Sequence, residues 1–236
     1  MKNMFVQFNK AFTLAEVLIT LVIVGVIAAL TIPTLINKTQ KQEFVSGLKK
    51  SYSNLASVTN QIIAEEGLPR ADIGGWASSS ANIYNLYKKH LSIAKDCGNK
   101  SGCIGQLSSN GSGSTNGFKS LGSNQPVVNN VEVSSNFYKM VLSDGVQLII
   151  DDYPASHTNC SATERGSTNM CHAFFVDLNG EKGPNTWGKD VYYFALKEDG
   201  LYPGGCDDDS LARCSKSGDG IGCACKVIRE NAINYY

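Results

Sequence analysis

The sequence has no surplus of charge of either sign, and that absence excludes a whole class of function. Lys and Arg total 21 against 21 Asp and Glu. No field of one sign spans the surface, so no global attraction draws the protein to a nucleic-acid backbone or a strongly anionic surface, and no nucleic-acid partner is expected. Proline is scarce, with six residues in 236, which argues against a proline-rich linker. Cysteine is missing from the first 96 positions and then occurs eight times. None of the eight forms the C-x2-C pair usual in zinc sites. Also missing are a catalytic motif around any Ser, Cys or Glu and a phosphate-cradling glycine loop; SSNGSGSTNG has glycines but no Lys and no helix start. His90, His157 and His172 lack the spacing of a metal cluster. The chain is therefore read as a non-enzyme. Its 42% apolar content is still enough for a sizeable core.

What is present is concentrated at the N-terminus. Residues 12–36, FTLAEVLITLVIVGVIAALTIPTLI, carry one ionisable side chain, Glu16. As a helix they would run roughly 37 Å, enough to cross a ~30 Å hydrocarbon layer with some tilt. Residues 1–11 hold Lys2 and Lys10 and no acid, which keeps them cytoplasmic and sends the rest of the chain outward. The cysteines then lie outside the cytoplasm, where disulfides are favoured over zinc. A secretory signal has a shorter apolar core and a small-residue cleavage site after it, so removal of the whole segment is not expected. Pro33 removes one backbone hydrogen bond from the helix and bends it. Gly25, Ala28 and Ala29 offer a small-residue face without making a GxxxG motif.

KAFTLAEVLITLVIVGVIAALTIP has a basic residue and Ala11 before Phe12 and an acid four residues after it. The stretch resembles the N-terminal signature of type IV pilins and type II secretion pseudopilins, which usually have Gly where this chain has Ala11. The resemblance implies a leader, residues 1–11, cut off by prepilin peptidase between Ala11 and Phe12, with methylation of the new Phe12 amine. It also implies an assembly helix bearing Glu16 and Pro33. The implied partners are other pilin or pseudopilin subunits and an inner-membrane assembly platform. Location would be the cytoplasmic membrane, single-pass, and then a surface pilus or periplasmic pseudopilus. The rival reading is a signal-anchored, monomeric extracytoplasmic domain that binds a ligand.

Glu16 has two compatible readings. A carboxylate in a bilayer is costly and calls for a partner, which a neighbouring subunit's Phe12 amine would supply. Thr13 and Glu16 also spell a T-x-x-E capping box at the positive end of the helix dipole.

Beyond the membrane, Phe44, Leu48, Tyr52, Leu55, Val58 or Thr59, and Ile62 recur at three- and four-residue spacing, so residues 37–67 are read as the outer half of one spine helix, stopped by Gly67 and Pro69. Residues 68–236 are read as a globular extracytoplasmic domain. A second helix fits residues 80–95, with Ile83, Leu86 or Tyr87, and Leu91 on one stripe; residues 97–125 read as a surface loop. FYKMVL and VQLII flank a turn at Ser143, Asp144 and Gly145, HAFFVDL and VYYFAL follow, and KVIRENAINYY is read as a last strand. Short links imply an antiparallel meander. The fold class is α+β: a long spine helix packed on a four-stranded antiparallel sheet, stapled by disulfides.

Two further groups call for chemistry. Asp177, Asn179, Glu181 and Asp190 in DLNGEKGPNTWGKD place hard oxygen ligands at calcium-like spacing. It is not an EF-hand, since Lys182 and Gly188 replace the invariant Gly and the bidentate Glu, and Asn179-Gly180 is a strong turn signal that makes a plain hairpin connection the default and calcium the lesser alternative. D-x-N-G-x-x-G-P-N turns also recur in proteins of the pilin-like kind. Cys97 and Cys103, Cys160 and Cys171, and the group Cys206, Cys214, Cys223 and Cys225 are disulfide candidates; short-range pairs are expected at the first two sites, and the last four are left open. Asp207 to Asp209 read as a solvated loop with a minor chance of binding a cation.

Overall fold

A computed structural model of the chain describes residues 12–69, 75–104, 117–123, 125–127, 131–151, 160–207 and 213–236. Two compact units divide the chain, residues 1–40 and residues 41–236.

In the first unit the chain enters helix α1, Leu14–Glu66. Thr13 caps it: the Glu16 N–H donates to Thr13 Oγ1 at 3.2 Å, and Glu16 Oε2 accepts from the Thr13 N–H at 2.8 Å. The box satisfies two of the amides that a helix start leaves orphaned. From residue 12 to 40 almost every side chain is exposed, including Leu14, Leu21, Leu30 and Leu35. The helix continues through Pro33.

Within the second unit α1 buries Phe44, Val45, Leu48, Ser51, Leu55, Val58, Thr59 and Ile62, the stripe its three- and four-residue spacing dictates. It ends where Gly67 takes φ +85° and donates its N–H to Ile63 O. Helix α2, Ser80–His90, starts at Ser79, whose hydroxyl accepts from the Asn82 N–H. Strands β1 (Ile93–Gly98), β4 (Phe137–Leu142), β5 (Gln147–Asp151), β7 (Ser167–Asp177), β8 (Val191–Lys197) and β9 (Gly200–Pro203) lie side by side in that order, with β6 (Ala162–Glu164) paired to β7; β2 (Phe118–Lys119) and β3 (Pro126–Val127) form a separate ribbon. All named pairs are antiparallel.

The central strands are covered on both faces, which explains why they read as unbroken apolar runs. Leu148, Ile150, Phe174, Val176 and Phe194 cluster with Leu48, Leu55 and Ile62 of α1 and Tyr87 of α2. The alternate residues Ile149, Phe175, Tyr193 and Ala195 cluster with Phe118, Val131, Trp187 and Ile221. Each such buried side chain contributes about 1.5–3 kcal/mol.

Four expectations need correction. Among the described residues the sheet has seven strands, not four. The second helix stops at His90 because the chain turns extended at Leu91 (ψ 143°), and Ile93–Gly98 becomes an edge strand on β4. Residues 97–125 are not a loop throughout: Phe118 is fully buried 5.6 Å from Trp187, though residues 105–116 and 124 fall outside the described part. KVIRENAINYY is not a strand. Its first half belongs to helix α3, Ala224–Glu230, which buries Ala224 and Val227 one turn apart, pairs Lys226 with Glu230, and closes at Asn231 in the left-handed conformation, φ +53°.

Candidate functional site

Residues 178–190 join β7 to β8, and both ends of this loop are held by aspartate side chains. Asp177 Oδ1 accepts the N–H of Asn179 at 3.2 Å and of Gly180 at 3.0 Å. Asp190 accepts the N–H of Asn185 and of Thr186, each at 2.8 Å. Such side-chain-to-backbone bonds are why Asp and Asn dominate turns. Gly180 supplies the positive φ, +63°, that the turn needs. Asn179 Nδ2 crosses the loop to Gly183 O at 3.2 Å. Outside the loop, Lys119 of β2 exchanges backbone bonds with Asn185 and Trp187.

Both aspartates are fully buried, and neither is ion-paired among the described residues. Burial, and then the charge of Asp190, pushes the Asp177 carboxyl well above the carboxylate range. Burial also raises Asp190, against the pull of the Thr186 and Asn185 amides. Glu181 is exposed. Asn185 and, from β5, Gln147 join this neighbourhood. Gln147 is the cross-strand partner of Asp177, and its Nε2 lies 3.4 Å from where a Gly180 Cβ would stand. Sequence spacing left both out: Asn185 looked like a turn residue, and Gln147 arrives through strand register, which no local pattern carries. Among the described residues no group of three or more His, Cys, Asp or Glu is placed to hold a metal ion.

The cysteines pair as Cys97–Cys103, Cys160–Cys171, Cys206–Cys225 and Cys214–Cys223, leaving no free thiol. Cys206 and Cys225 enclose the other C-terminal pair. Asp207, taken above as part of a solvated run, accepts instead from Lys197 Nζ at 2.5 Å and from the Thr168 N–H at 2.8 Å; Asp208 and Asp209 fall outside the described residues, as does His157. His90 Nε2 lies 3.3 Å from Glu65 Oε2.

At the N-terminus, Phe12 is 86% exposed and, among the described residues, Glu16 bonds only within its capping box. Ala11 falls outside the described residues. Leu14–Glu66 is long and apolar enough to cross a membrane. Residues 7–32 match the prokaryotic N-terminal methylation motif. The chain carries the prepilin-type signature of type IV pilins and pseudopilins. No curated protein and no solved structure matches it. The match supports a pilin-like or pseudopilin precursor, and a signature of this kind implies processing by prepilin peptidase and assembly with other pilin subunits. An apolar helix at this end fits membrane anchoring.

Proposed function

We propose that this pilin-like precursor is cut between Ala11 and Phe12, methylated on the Phe12 amine, and polymerised through residues 12–36 into a type IV pilus or type II secretion filament, by way of an inner-membrane assembly platform. One observation carries the reading: the prepilin signature at residues 7–32 runs into a helix that starts at Leu14 and whose apolar side chains are almost all exposed as far as residue 40. Such a surface has to be covered by lipid or by other helices. The positive leader keeps the N-terminus cytoplasmic and puts the disulfide-bonded unit outside, where its bridges persist. In the filament the Glu16 carboxylate leaves its capping role and pairs with the Phe12 amine of a neighbouring subunit.

The N-terminal peptide mass from membranes of a host with active prepilin peptidase tests the processing step. Methylated Phe12 is expected; an intact Met1 would favour the anchored, ligand-binding monomer instead. Assembly is tested by filament yield against the membrane pool of processed subunit for Glu16→Gln and Glu16→Ala. Leaving the buried amine unpaired costs ~3–5 kcal/mol, so both variants should accumulate processed but unassembled subunit. Normal filaments from Glu16→Gln would defeat the pairing.

A further inference from the structure

Strands β6, β7, β8 and β9 converge on a cleft of about 730 Å3, within the ~300–1,000 Å3 of small-molecule sites. Strand register explains the convergence: Met170 of β7 pairs with Ala162 of β6 and with Lys197 of β8, and Lys197 pairs with Gly200 of β9. The Cys160–Cys171 bridge ties the approach to β6 onto β7. Among the described residues five non-Gly positions take a positive φ, and two of them, Cys160 at +55° and Asn169 at +54°, line this cleft. Asn169 lies within strand β7, where such a backbone is costly. Strain of this kind persists only where the surroundings impose it, and it gathers at ligand sites.

The lining selects among ligand classes. Lys197 gives its ammonium to Asp207 at 2.5 Å, so the charge left at the cleft is that of Glu198 and Asp199, and phosphates or other anions are disfavoured. Apolar contact comes mainly from Leu68, 42% exposed, and the Tyr202 ring, too little for an acyl chain or an apolar peptide. What remains is a fixed aromatic ring among groups that bond hydroxyls. The Tyr202 hydroxyl donates to Asp199 Oδ2 at 2.8 Å and its ring centroid lies 5.2 Å from Lys197 Nζ, so the ring is positioned before a ligand arrives. Carboxylate oxygens each accept more than one hydrogen bond, and the Ser161 hydroxyl and Asn169 amide both donate and accept, so these groups can bond ligand hydroxyls beside the partners they already have. We propose that this cleft binds a neutral saccharide, one sugar ring packing its C–H face on Tyr202 while its hydroxyls bond Asn169, Ser161 and the carboxylates of Glu198 and Asp199. A sugar is uncharged, offers C–H groups on one face and hydroxyls at its edge, and so answers each part of the lining. A basic peptide would answer the two carboxylates and leave the strained placement of Asn169 without a use.

The site is independent of the filament reading, since it uses none of residues 12–36. The test uses the full, oxidised chain in a detergent without a sugar headgroup. Calorimetry is run with trisaccharides of glucose, galactose, mannose and N-acetylglucosamine, and with trilysine. At least one trisaccharide should bind saturably at one equivalent per chain. Tyr202→Ala should weaken that binding about tenfold or more. Asn169→Gly removes the amide and relieves the positive φ, so it should weaken binding about fivefold while the melting temperature holds or rises, which separates loss of the site from loss of the fold. Glu181→Gln, an exposed change outside the cleft lining, should leave binding as it was. No saturable binding by any of these sugars up to ~10 mM, where a site with a Kd of ~1 mM would be about nine-tenths filled, would overturn the proposal. So would trilysine binding more tightly than every sugar, which would assign the cleft to a basic peptide, or saccharide binding that Tyr202→Ala and Asn169→Gly both leave intact.

Discussion

Gly145 and Gly205 sit at nearly the same backbone angle, φ +88° and +84°, yet their substitutions should differ sharply in cost. A Cβ on Gly145 meets nothing within 4 Å, whereas one on Gly205 would stand 1.9 Å from Gly222 O. Gly145→Ala therefore carries only the left-handed strain, about 1–2 kcal/mol. Gly205→Ala must also push apart two backbone segments beside Cys206 and Cys223, and about 4 kcal/mol or more is expected. Urea melts of the two oxidised variants check this, and equal midpoints would refute it. Asp96 gives a pH dependence. Hydrogen bonds from Lys88 Nζ and then from the Tyr84 hydroxyl hold its carboxyl below the carboxylate range. A depressed carboxyl stabilises the fold above its unfolded pKa, near 4, and that stabilisation is lost as pH falls through the lower folded value. Asp96→Asn should thus destabilise at pH 7 and flatten the acid limb of stability against pH; an unchanged acid limb would contradict the assignment.

Helix α1 changes role along its length, and mutations should follow. Leu48 is fully buried among β-sheet side chains, so Leu48→Ala should cost about 2–5 kcal/mol in the melt of residues 41–236. Leu30, 71% exposed, should leave that melt unchanged when replaced by Ala. Thermal unfolding in detergent measures both. The α1 stripe was legible because one covered face imposes a period of 3.6 residues, and β5, β7 and β8 were legible because two covered faces make continuous apolar runs. Edge strand β1 and helix α3 were not: six residues of IAKDCG bear no apolar alternation, and Val227-Ile228 fits either element until Asn231 ends the helix. In the β7–β8 loop, Asp177, Asn179 and Asp190 were visible from spacing alone. Gln147 became visible only once β5 was registered against β7.

At the scale of the molecule, the residues 41–236 unit carries its own core and all four disulfides. Expressed without residues 1–40 in an oxidising compartment, it should melt cooperatively and show no reactive thiol. A non-cooperative melt or free cysteines would mean that the N-terminal segment is needed for folding. The bridges close short loops, with separations of 6, 11, 19 and 9 residues, each worth ~2–3 kcal/mol in the chain-entropy model. Their nesting bears on biogenesis. An oxidant joining each cysteine to the next along the chain would make the first two bridges correctly. It would then join Cys206 to Cys214 and Cys223 to Cys225, both wrong. The enclosed Cys214–Cys223 pair therefore cannot arise by joining each cysteine to the next, and a strictly sequential oxidation would reach these bridges only through thiol–disulfide exchange.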